Sequence, residues 1–231
     1  MMRLSRINKL YKKIHTCRKC FNAPGCKLEF DNQRVKRKII DRALNSEVFI
    51  IGESLGKTTQ RLSGLPYISV NGQLSRTGQA LNDFLIAFGY AIYPTSSKRD
   101  VYSSDTIQCC LGGRKPTFKE IENCSVWLDQ ELEVIHPKVV ILLGRIAAQS
   151  FLKRHLKFNA KMIRSFRGKR VEFNKWGETS WLFCVPHPAY KRRNPLEVEG
   201  IYRQAASQIS EIVRYGKSKG TRAEDRGDDR T

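Results

Sequence analysis

The chain has 231 residues, with 42 Lys and Arg against 22 Asp and Glu, a formal net charge of +20 and 40% hydrophobic residues. This length is that of one domain, and the longest purely apolar runs, such as Val139–Leu143, have five residues, against the roughly 20 that a membrane-spanning helix needs. Basic residues interrupt every apolar stretch near the N-terminus, which argues against a signal peptide. We therefore expect a cytoplasmic protein with no membrane partner.

The positive charge is concentrated in two segments. Residues 1–42 carry 13 Lys and Arg against 3 Asp and Glu, residues 152–193 carry 12 against 2, and the rest of the chain is neutral overall. Two basic segments on a small domain are typical of a nucleic-acid-binding surface, because cations that neutralise phosphates release counterions. The alternative is a basic surface that binds no ligand.

Apolar runs and turn signals predict alternating strands and helices. The predicted strands are Val48–Ile51, Val101–Ile107, Lys138–Leu143, Arg170–Phe173 and Trp181–Val185. The predicted helices are Thr77–Tyr90, a helix that begins at the capping box Thr117-Phe118-Lys119-Glu120, Arg145–Leu152 and Leu196–Tyr215. This order predicts an α/β fold, a three-layer sandwich with a central, parallel-type, four-stranded sheet flanked by helices. We expect one domain over residues 1–216 and a disordered tail over 217–231, which lacks large apolar residues.

The seven cysteines stand at positions 17, 20, 26, 109, 110, 124 and 184. Cys17 and Cys20 form a C-x2-C pair, a spacing at which two thiolates bind one metal ion or one edge of a cluster. Two more soft ligands are needed, and the candidates are Cys109 or Cys110 together with Cys124. Cys184 lies in an apolar strand and is expected to be buried.

Three loops that follow predicted strands carry polar residues. They are Gly52-Glu53-Ser54-Leu55-Gly56, the segment from Asp105 to Cys109, and the basic loop in which His187 stands between Pro186 and Pro188. Ligands of α/β sheets bind outside the carboxyl ends of the strands, so these loops are the candidate site.

In this order the motifs resemble the family 4 uracil-DNA glycosylases, the iron–sulfur branch of the uracil-DNA glycosylase superfamily, over residues 14–213. The motifs that carry the resemblance are Cys17-x2-Cys20, Gly52 to Gly56, Gly64-Leu65-Pro66-Tyr67, Asp100-Val101-Tyr102 through Cys109, Pro116-Thr117, Cys124, Pro137 to Arg145 and His187-Pro188-Ala189-Tyr190. The resemblance implies a monomeric hydrolase of base excision repair. It would cleave the N-glycosidic bond of a flipped-out deaminated base in DNA, uracil first.

The resemblance also implies roles for individual residues. A [4Fe–4S] cluster would be held by Cys17, Cys20, Cys109 and Cys124, and a structural zinc ion on the same ligands is the alternative. His187 would donate a hydrogen bond to uracil O2, and Tyr67 would stack on the base. Glu53, with the backbone of Gly52 and Ser54, would lie beside the sugar. The residues expected to contact DNA outside the base are Pro186, Pro188, Arg192 and Arg193.

Four features depart from the family pattern. Leu55 replaces a proline, residues near Val70–Ser75 form an apparent six-residue insertion, and Cys110-Leu111-Gly112-Gly113 replaces an arginine-and-proline stretch. Asp105 stands where the family has an Asn that reads the uracil edge, and an ionised carboxylate only accepts hydrogen bonds. Two alternatives therefore stay open: a superfamily member that acts on another base, and a non-catalytic nucleic-acid-binding module that contains zinc or a cluster.

Overall fold

The computed structural model describes residues 2–27, 38–56, 60–93, 98–158, 165–176 and 178–218, with side chains up to residue 214. These residues form a five-stranded sheet in the order β4-β1-β5-β7-β6. The strands are β1 (Val48–Ser54), β4 (Tyr102–Ile107), β5 (Val139–Leu143), β6 (Arg170–Asn174) and β7 (Thr179–Val185). A separate parallel pair consists of β2 (Tyr90–Ala91) and β3 (Arg99–Asp100).

Helices cover both faces of the sheet. They are α1 (Met2–His15), α2 (Gln60–Ser63), α3 (Arg76–Ile86), α4 (Phe118–Ile135), α5 (Gly144–Leu156) and α6 (Pro195–Ser218), with 3-10 helices at Asp41–Asn45 and Pro188–Arg192. The predicted capping box is present: the Thr117 side chain accepts from the backbone of Glu120, and Glu120 accepts from the backbone of Thr117. The predicted tail, apart from the end of α6, lies outside the described residues.

The apolar strands separate two cores. Phe49 and Ile51 of β1 pack on the side covered by α1, α4 and α5, and Val48 and Ile50 pack on the side covered by α3 and α6. All five residues of β5 are buried, as expected of a central strand with helices on both faces. Because strands that are buried on both faces have continuous apolar sequences, the α/β fold could be predicted from these runs.

The predicted four-stranded sheet needs one correction. β4, β1, β5 and β7 pair in parallel, and β6 adds a fifth strand, antiparallel to β7, at the edge. Burial alternates along β6, with Val171 and Phe173 turned inward, as an edge strand with one covered face requires. Within the described residues, no helix combines the length and the apolar character needed to cross a bilayer.

A buried carboxylate connects α1, β4 and α4. Glu131 is 0% exposed, and its Oε1 accepts hydrogen bonds from the hydroxyls of Tyr11 at 3.0 Å and Tyr102 at 3.2 Å. Its Oε2 accepts from the Ser104 hydroxyl and from Nε2 of Gln108, the latter at 3.1 Å. Hydrogen bonds of this kind offset the cost of burying a charge. They also fix α1 against the strand that carries Asp105.

A second buried carboxylate, Glu120, joins the cysteine-bearing loop to α4. It accepts from Arg114 at 2.7 Å and from the backbone N–H of Lys27 at 2.7 Å. Burial alone would raise the pKa of Glu120, but hydrogen bonds from Arg114 and from two backbone N–H groups outweigh it and lower the pKa from 4.5 to about 2. The charged form of Glu120 therefore stabilises the fold.

We expect this stabilisation to be complete above about pH 4.5 and to be lost as the pH falls toward about 2, since the unfolded state then takes up a proton that the folded state excludes. The free energy of unfolding of Glu120→Gln should be below that of the wild type at about pH 7, and the difference should shrink between about pH 5 and about pH 3. Urea unfolding followed by circular dichroism measures both. Glu122→Gln, at an exposed position of the same helix, is the control. A difference that is constant with pH would contradict this account.

Candidate active site

A cavity of about 370 Å³ opens at the carboxyl ends of β1, β4 and β7. This volume is within the range of small-ligand sites. Its lining includes the predicted Gly52, Glu53, Ser54, Tyr67, Asp105 and His187, together with Gly56, Gln60, Ser75, Arg76 and Thr77. The structure thus brings together all the residues expected to bind a base and sugar, as the position of the post-strand loops predicts.

The position of Asp105 depends on Gly52. Parallel pairing of β1 with β4 sets these two residues side by side. A Cβ atom at position 52 would collide with Oδ1 of Asp105, so the missing side chain leaves room for the carboxylate over the strand. Asp105 is 6% exposed, and the adjacent Thr106 hydroxyl donates to the Gly52 carbonyl at 3.0 Å. The carboxylate is therefore a buried wall of the cavity.

Tyr67 is held in an unusual backbone conformation. Its φ is +62°, in the left-handed region that a residue with a side chain rarely adopts. Its carbonyl accepts from the Ser75 N–H at 2.8 Å, and a Cβ at Gly78 would lie 2.6 Å from the same oxygen. Such strain is found where the surroundings fix a functional side chain. Ser75 also caps α3 by accepting from the N–H of Gly78.

The apparent insertion near Val70–Ser75 forms a small hairpin next to Tyr67. Ile68 and Leu74 form an antiparallel bridge, and the Ser69 N–H donates to the Gln73 carbonyl at 2.8 Å. Ile68 is buried in the core, whereas Val70 near the tip is 67% exposed. The hairpin closes on Tyr67 through the Ser75 bond and so contributes to its fixed position.

Glu53 lies at the end of β1 and is half-buried in the cavity wall. Burial raises the pKa of its carboxyl, and the positive charges of Lys115 and Arg145 act in the opposite direction. A carboxylate in this position can accept from water or face a developing positive charge. The neighbouring Ser54 lines the same cavity.

The hydrogen bonding of His187 fixes its proton. Its Nδ1 accepts from the Ala189 N–H at 3.2 Å, and burial lowers the pKa of the imidazole. A neutral ring that accepts at Nδ1 carries its proton on Nε2, which is then a donor. Gly144, with φ +80°, lies directly behind, where a Cβ would be 3.1 Å from Cβ of His187. The absence of a side chain at residue 144 thus leaves room for His187.

The loop after His187 forms a 3-10 helix with a mixed surface. Arg192 and Arg193 are exposed, whereas Pro188, which was also expected to contact DNA, is buried. Tyr190, 38% exposed, is the apolar side chain that this loop presents, and Pro186 is half-buried. Proline is common at the first positions of helices, so the position of Pro188 reflects helix initiation.

None of the cysteines, all of which lie in the described ranges, lines the cavity. Cys20 and Cys124 are buried in one apolar cluster with Ile107 and Leu111, and Cys109 and Cys26 pack against it. The side-chain amide of Asn123 donates to the sulfurs of both Cys20 and Cys26 at 3.6 Å. Cys17 is half-buried outside this cluster, and Cys110 packs on Leu55. Cys184 is buried in β7, as expected for an apolar strand residue.

The thiols of the apolar cluster fit a sulfur-bound group chemically. The Cys124 neighbour and burial raise the pKa of Cys20, and burial and then Cys20 raise that of Cys26 to about 11. Thiols that crowd together in an apolar place are the donors that iron–sulfur clusters and zinc take. Among the described residues, no three Cys, His, Asp or Glu side chains are already grouped around one metal position.

Gln60 was missed by the sequence analysis. It is 4% exposed, lines the cavity, and its Nε2 has no hydrogen-bond partner within the described part of the chain. Nothing in a Gln that follows a run of polar residues distinguishes it from a solvated loop residue. Only the fold shows that it is enclosed.

The chain is similar in sequence to known proteins over the segment that contains the cavity residues. The model of the uracil DNA glycosylase superfamily matches residues 41–210. A type-4 uracil-DNA glycosylase of Archaeoglobus fulgidus is 27% identical over 221 residues, which cover 94% of this chain and 98% of the relative. A type-4 enzyme of Saccharolobus solfataricus is 29% identical over 65% of this chain and 64% of its own. A type-5 uracil-DNA glycosylase of Pyrobaculum aerophilum is 29% identical over 48% of this chain and 50% of its own.

The matched segment spans β1 to most of α6 and includes every residue that lines the cavity. The family match covers most of the chain, and this chain belongs to the uracil DNA glycosylase superfamily.

Proposed function

We propose that this protein is a uracil-DNA glycosylase of base excision repair, which hydrolyses the bond between C1′ of the sugar and N1 of a flipped-out base. The observation that carries the proposal is one cavity that contains a neutral imidazole donor, two carboxylates and a fixed tyrosine ring. The similarity to proteins named type-4 and type-5 uracil-DNA glycosylases supports uracil as the base.

The reaction breaks the C1′–N1 bond, and the electron pair leaves with the base. The sugar becomes positively charged, and the oxygen of water then bonds to C1′ and loses a proton. An enzyme accelerates this by stabilising the two charges that develop. The residues of the cavity are suited to these two tasks.

His187 acts on the leaving base. Its Nε2–H donates to uracil O2, where negative charge grows as the bond breaks. A neutral donor held by its own Nδ1 contact needs no reorganisation at that moment. One such donor contributes roughly 2.7–4 kcal/mol to transition-state stabilisation.

Glu53 acts on the sugar. As a carboxylate it stabilises the positive charge at C1′ and orients the attacking water, with the Gly52 and Ser54 backbone beside it. Tyr67, fixed by the hairpin, stacks on the flipped ring. Base–aromatic stacking contributes about 1–3 kcal/mol per base and does not depend on base identity.

The exposed Arg192 and Arg193 bind phosphates next to the cavity, since the loop that carries them starts at His187. Tyr190 on the same loop is placed to contact the duplex from which the base has left. This arrangement supports DNA as the substrate, in agreement with the net charge of +20.

We also propose that Cys17, Cys20, Cys109 and Cys124 hold a [4Fe–4S] cluster, and Cys26 is a fifth thiol nearby. Such a group would be structural: it would tie the basic N-terminal segment to β4 and α4. The packing of Cys20, Cys109 and Cys124 around one apolar cluster supports this set, and zinc on the same thiols is the alternative.

The test of the function is base release from oligonucleotides that carry a single uracil, hypoxanthine or xanthine, followed by alkaline cleavage. We expect the wild type to release uracil. His187→Ala should reduce the single-turnover rate of uracil release about 100-fold or more, while DNA affinity stays nearly unchanged. Lys191→Ala, a neighbouring loop variant outside the cavity, is the control. If another base is released faster than uracil, the protein is a superfamily member that acts on that base. An unchanged rate in His187→Ala would contradict the role of the imidazole.

Asp105 makes this site differ from an amide-containing one. A carboxylate accepts from N3–H but repels O4, whereas an amide donates to O4. We expect Asp105→Asn to release uracil faster than the wild type near neutral pH, measured as single-turnover rates on uracil and cytosine substrates. Asp83→Asn on the exposed face of α3 is the matched control. If the wild type and Asp105→Asn release each base at the same rate, residue 105 does not read the base.

The cluster is tested by iron, sulfide and zinc analysis after anaerobic purification, and by broad absorption near ~400 nm. We expect iron and sulfide in the wild type and in Cys26→Ser, and their loss in Cys17→Ser and Cys20→Ser. Cys184→Ser controls for a buried cysteine elsewhere. Stoichiometric zinc without iron would support the alternative metal. Loss in Cys26→Ser with retention in Cys17→Ser would assign the fourth ligand to Cys26.

A further inference from the structure

Gln60 is a buried polar side chain that no described contact explains. It is 4% exposed, and its Nε2 lacks a hydrogen-bond partner in the described ranges. An unpaired buried amide destabilises a protein, so such groups are rare without a ligand or a functional reason. The same side chain lines the cavity that contains Asp105 and His187.

The backbone around Gln60 is anchored. The Gln60 carbonyl accepts from the Gly64 N–H at 2.9 Å, and the Arg61 N–H donates to the Gly56 carbonyl at 3.1 Å. Gly56 itself lines the cavity, at the end of the loop that follows β1. The backbone that carries the amide is therefore held at the cavity wall.

The cavity already holds partners for two of the three polar atoms on the edge of uracil. This edge presents O2 as an acceptor, N3–H as a donor and O4 as an acceptor. His187 donates and the Asp105 carboxylate accepts, which suits O2 and N3–H. O4 requires a donor, and a carboxylate cannot supply one.

We propose that Nε2 of Gln60 donates a hydrogen bond to O4 of the flipped uracil and is a specificity-determining residue of this enzyme. The inference rests on the proposed function and deepens it. It explains how a site with an acceptor at position 105 accommodates uracil. In a cytosine complex, Nε2 of Gln60 would face the exocyclic amino group, which is also a donor, so no hydrogen bond could form. Gln60 therefore favours uracil, whereas Asp105 alone would favour cytosine.

The experiment measures binding rather than cleavage. Oligonucleotides carry 2′-fluorinated deoxyuridine, whose glycosidic bond resists hydrolysis, with uracil, 4-thiouracil or 2-thiouracil as the base. Sulfur is a weaker hydrogen-bond acceptor than oxygen, so each substitution weakens the contact at one atom. Wild type, Gln60→Leu and Gln73→Leu are compared, and Gln73 is an exposed glutamine of the hairpin that does not line the cavity.

We expect 4-thiouracil to weaken binding to the wild type and to Gln73→Leu by about tenfold. Gln60→Leu should bind uracil about tenfold more weakly than the wild type does, and the 4-thio substitution should then cost nothing further. The 2-thio substitution should weaken binding equally in all three proteins, because His187 is unchanged. The melting temperature of free Gln60→Leu should not fall, since Nε2 of the replaced amide has no partner in the described residues.

A 4-thio effect of the same size in Gln60→Leu and the wild type would overturn the proposal, and so would the absence of any 4-thio effect in the wild type. Base release from the unmodified uracil oligonucleotide is measured in parallel. Its absence would overturn the proposed function, whereas the thio comparison is read from binding alone and judges the role of Gln60 separately.

Discussion

The cavity depends on the parallel pairing of β1 between β4 and β5. This pairing places Gly52 beside Asp105, and the pairing of β5 with β7 carries His187 to the same edge of the sheet. These residues are far apart in sequence, and only the strand register brings them together. Because the strands themselves are buried between two cores, a shift of register by one residue would move apolar side chains from one core to the other and disrupt the packing of both, so the packing that stabilises the sheet also holds the site.

Three glycines show how closely the site is packed. Side chains at positions 52, 78 and 144 would press against Asp105, the Tyr67 backbone and His187, respectively. Asp105, Tyr67 and His187 each pack against the backbone of a glycine rather than against a flexible side chain. Support of this kind limits the motion of the groups that face the base, which is the condition for electrostatic preorganisation.

The sequence was sufficient for much of this picture because its strongest signals are local. Apolar runs identified β1, β5 and β7, and the capping box located the start of α4 at Thr117. Loops after strands indicated Glu53, Asp105 and His187 because parallel strands end at a common edge. Arg170–Phe173 was predicted as a strand, but the expected four-stranded sheet did not include it as an antiparallel edge strand, because its pairing direction depends on a turn and not on its composition.

The features that were not predicted depend on tertiary contacts. Gln60 becomes buried only when α2 packs over the cavity, and Pro188 becomes buried because it starts a helix. Helix α1 was not predicted, although Leu4, Ile7 and Tyr11 have helical spacing, since the eight other basic or polar residues of Met2–His15 obscure the apolar face. The grouping of Cys26 with Cys20 depends on the fold of the loop between them and on Asn123 from α4.

The carboxylate of Glu131 gives α1 a role beyond covering the sheet. The Tyr11 and Tyr102 hydroxyls share one oxygen of this carboxylate and lie 2.8 Å from each other, so a helix and a strand meet at a single buried acceptor. Departure of α1 would remove a donor from a charge in the interior. We therefore expect the N-terminal basic helix, β4 and the middle of α4 to open as one cooperative unit, with amide hydrogens that exchange together.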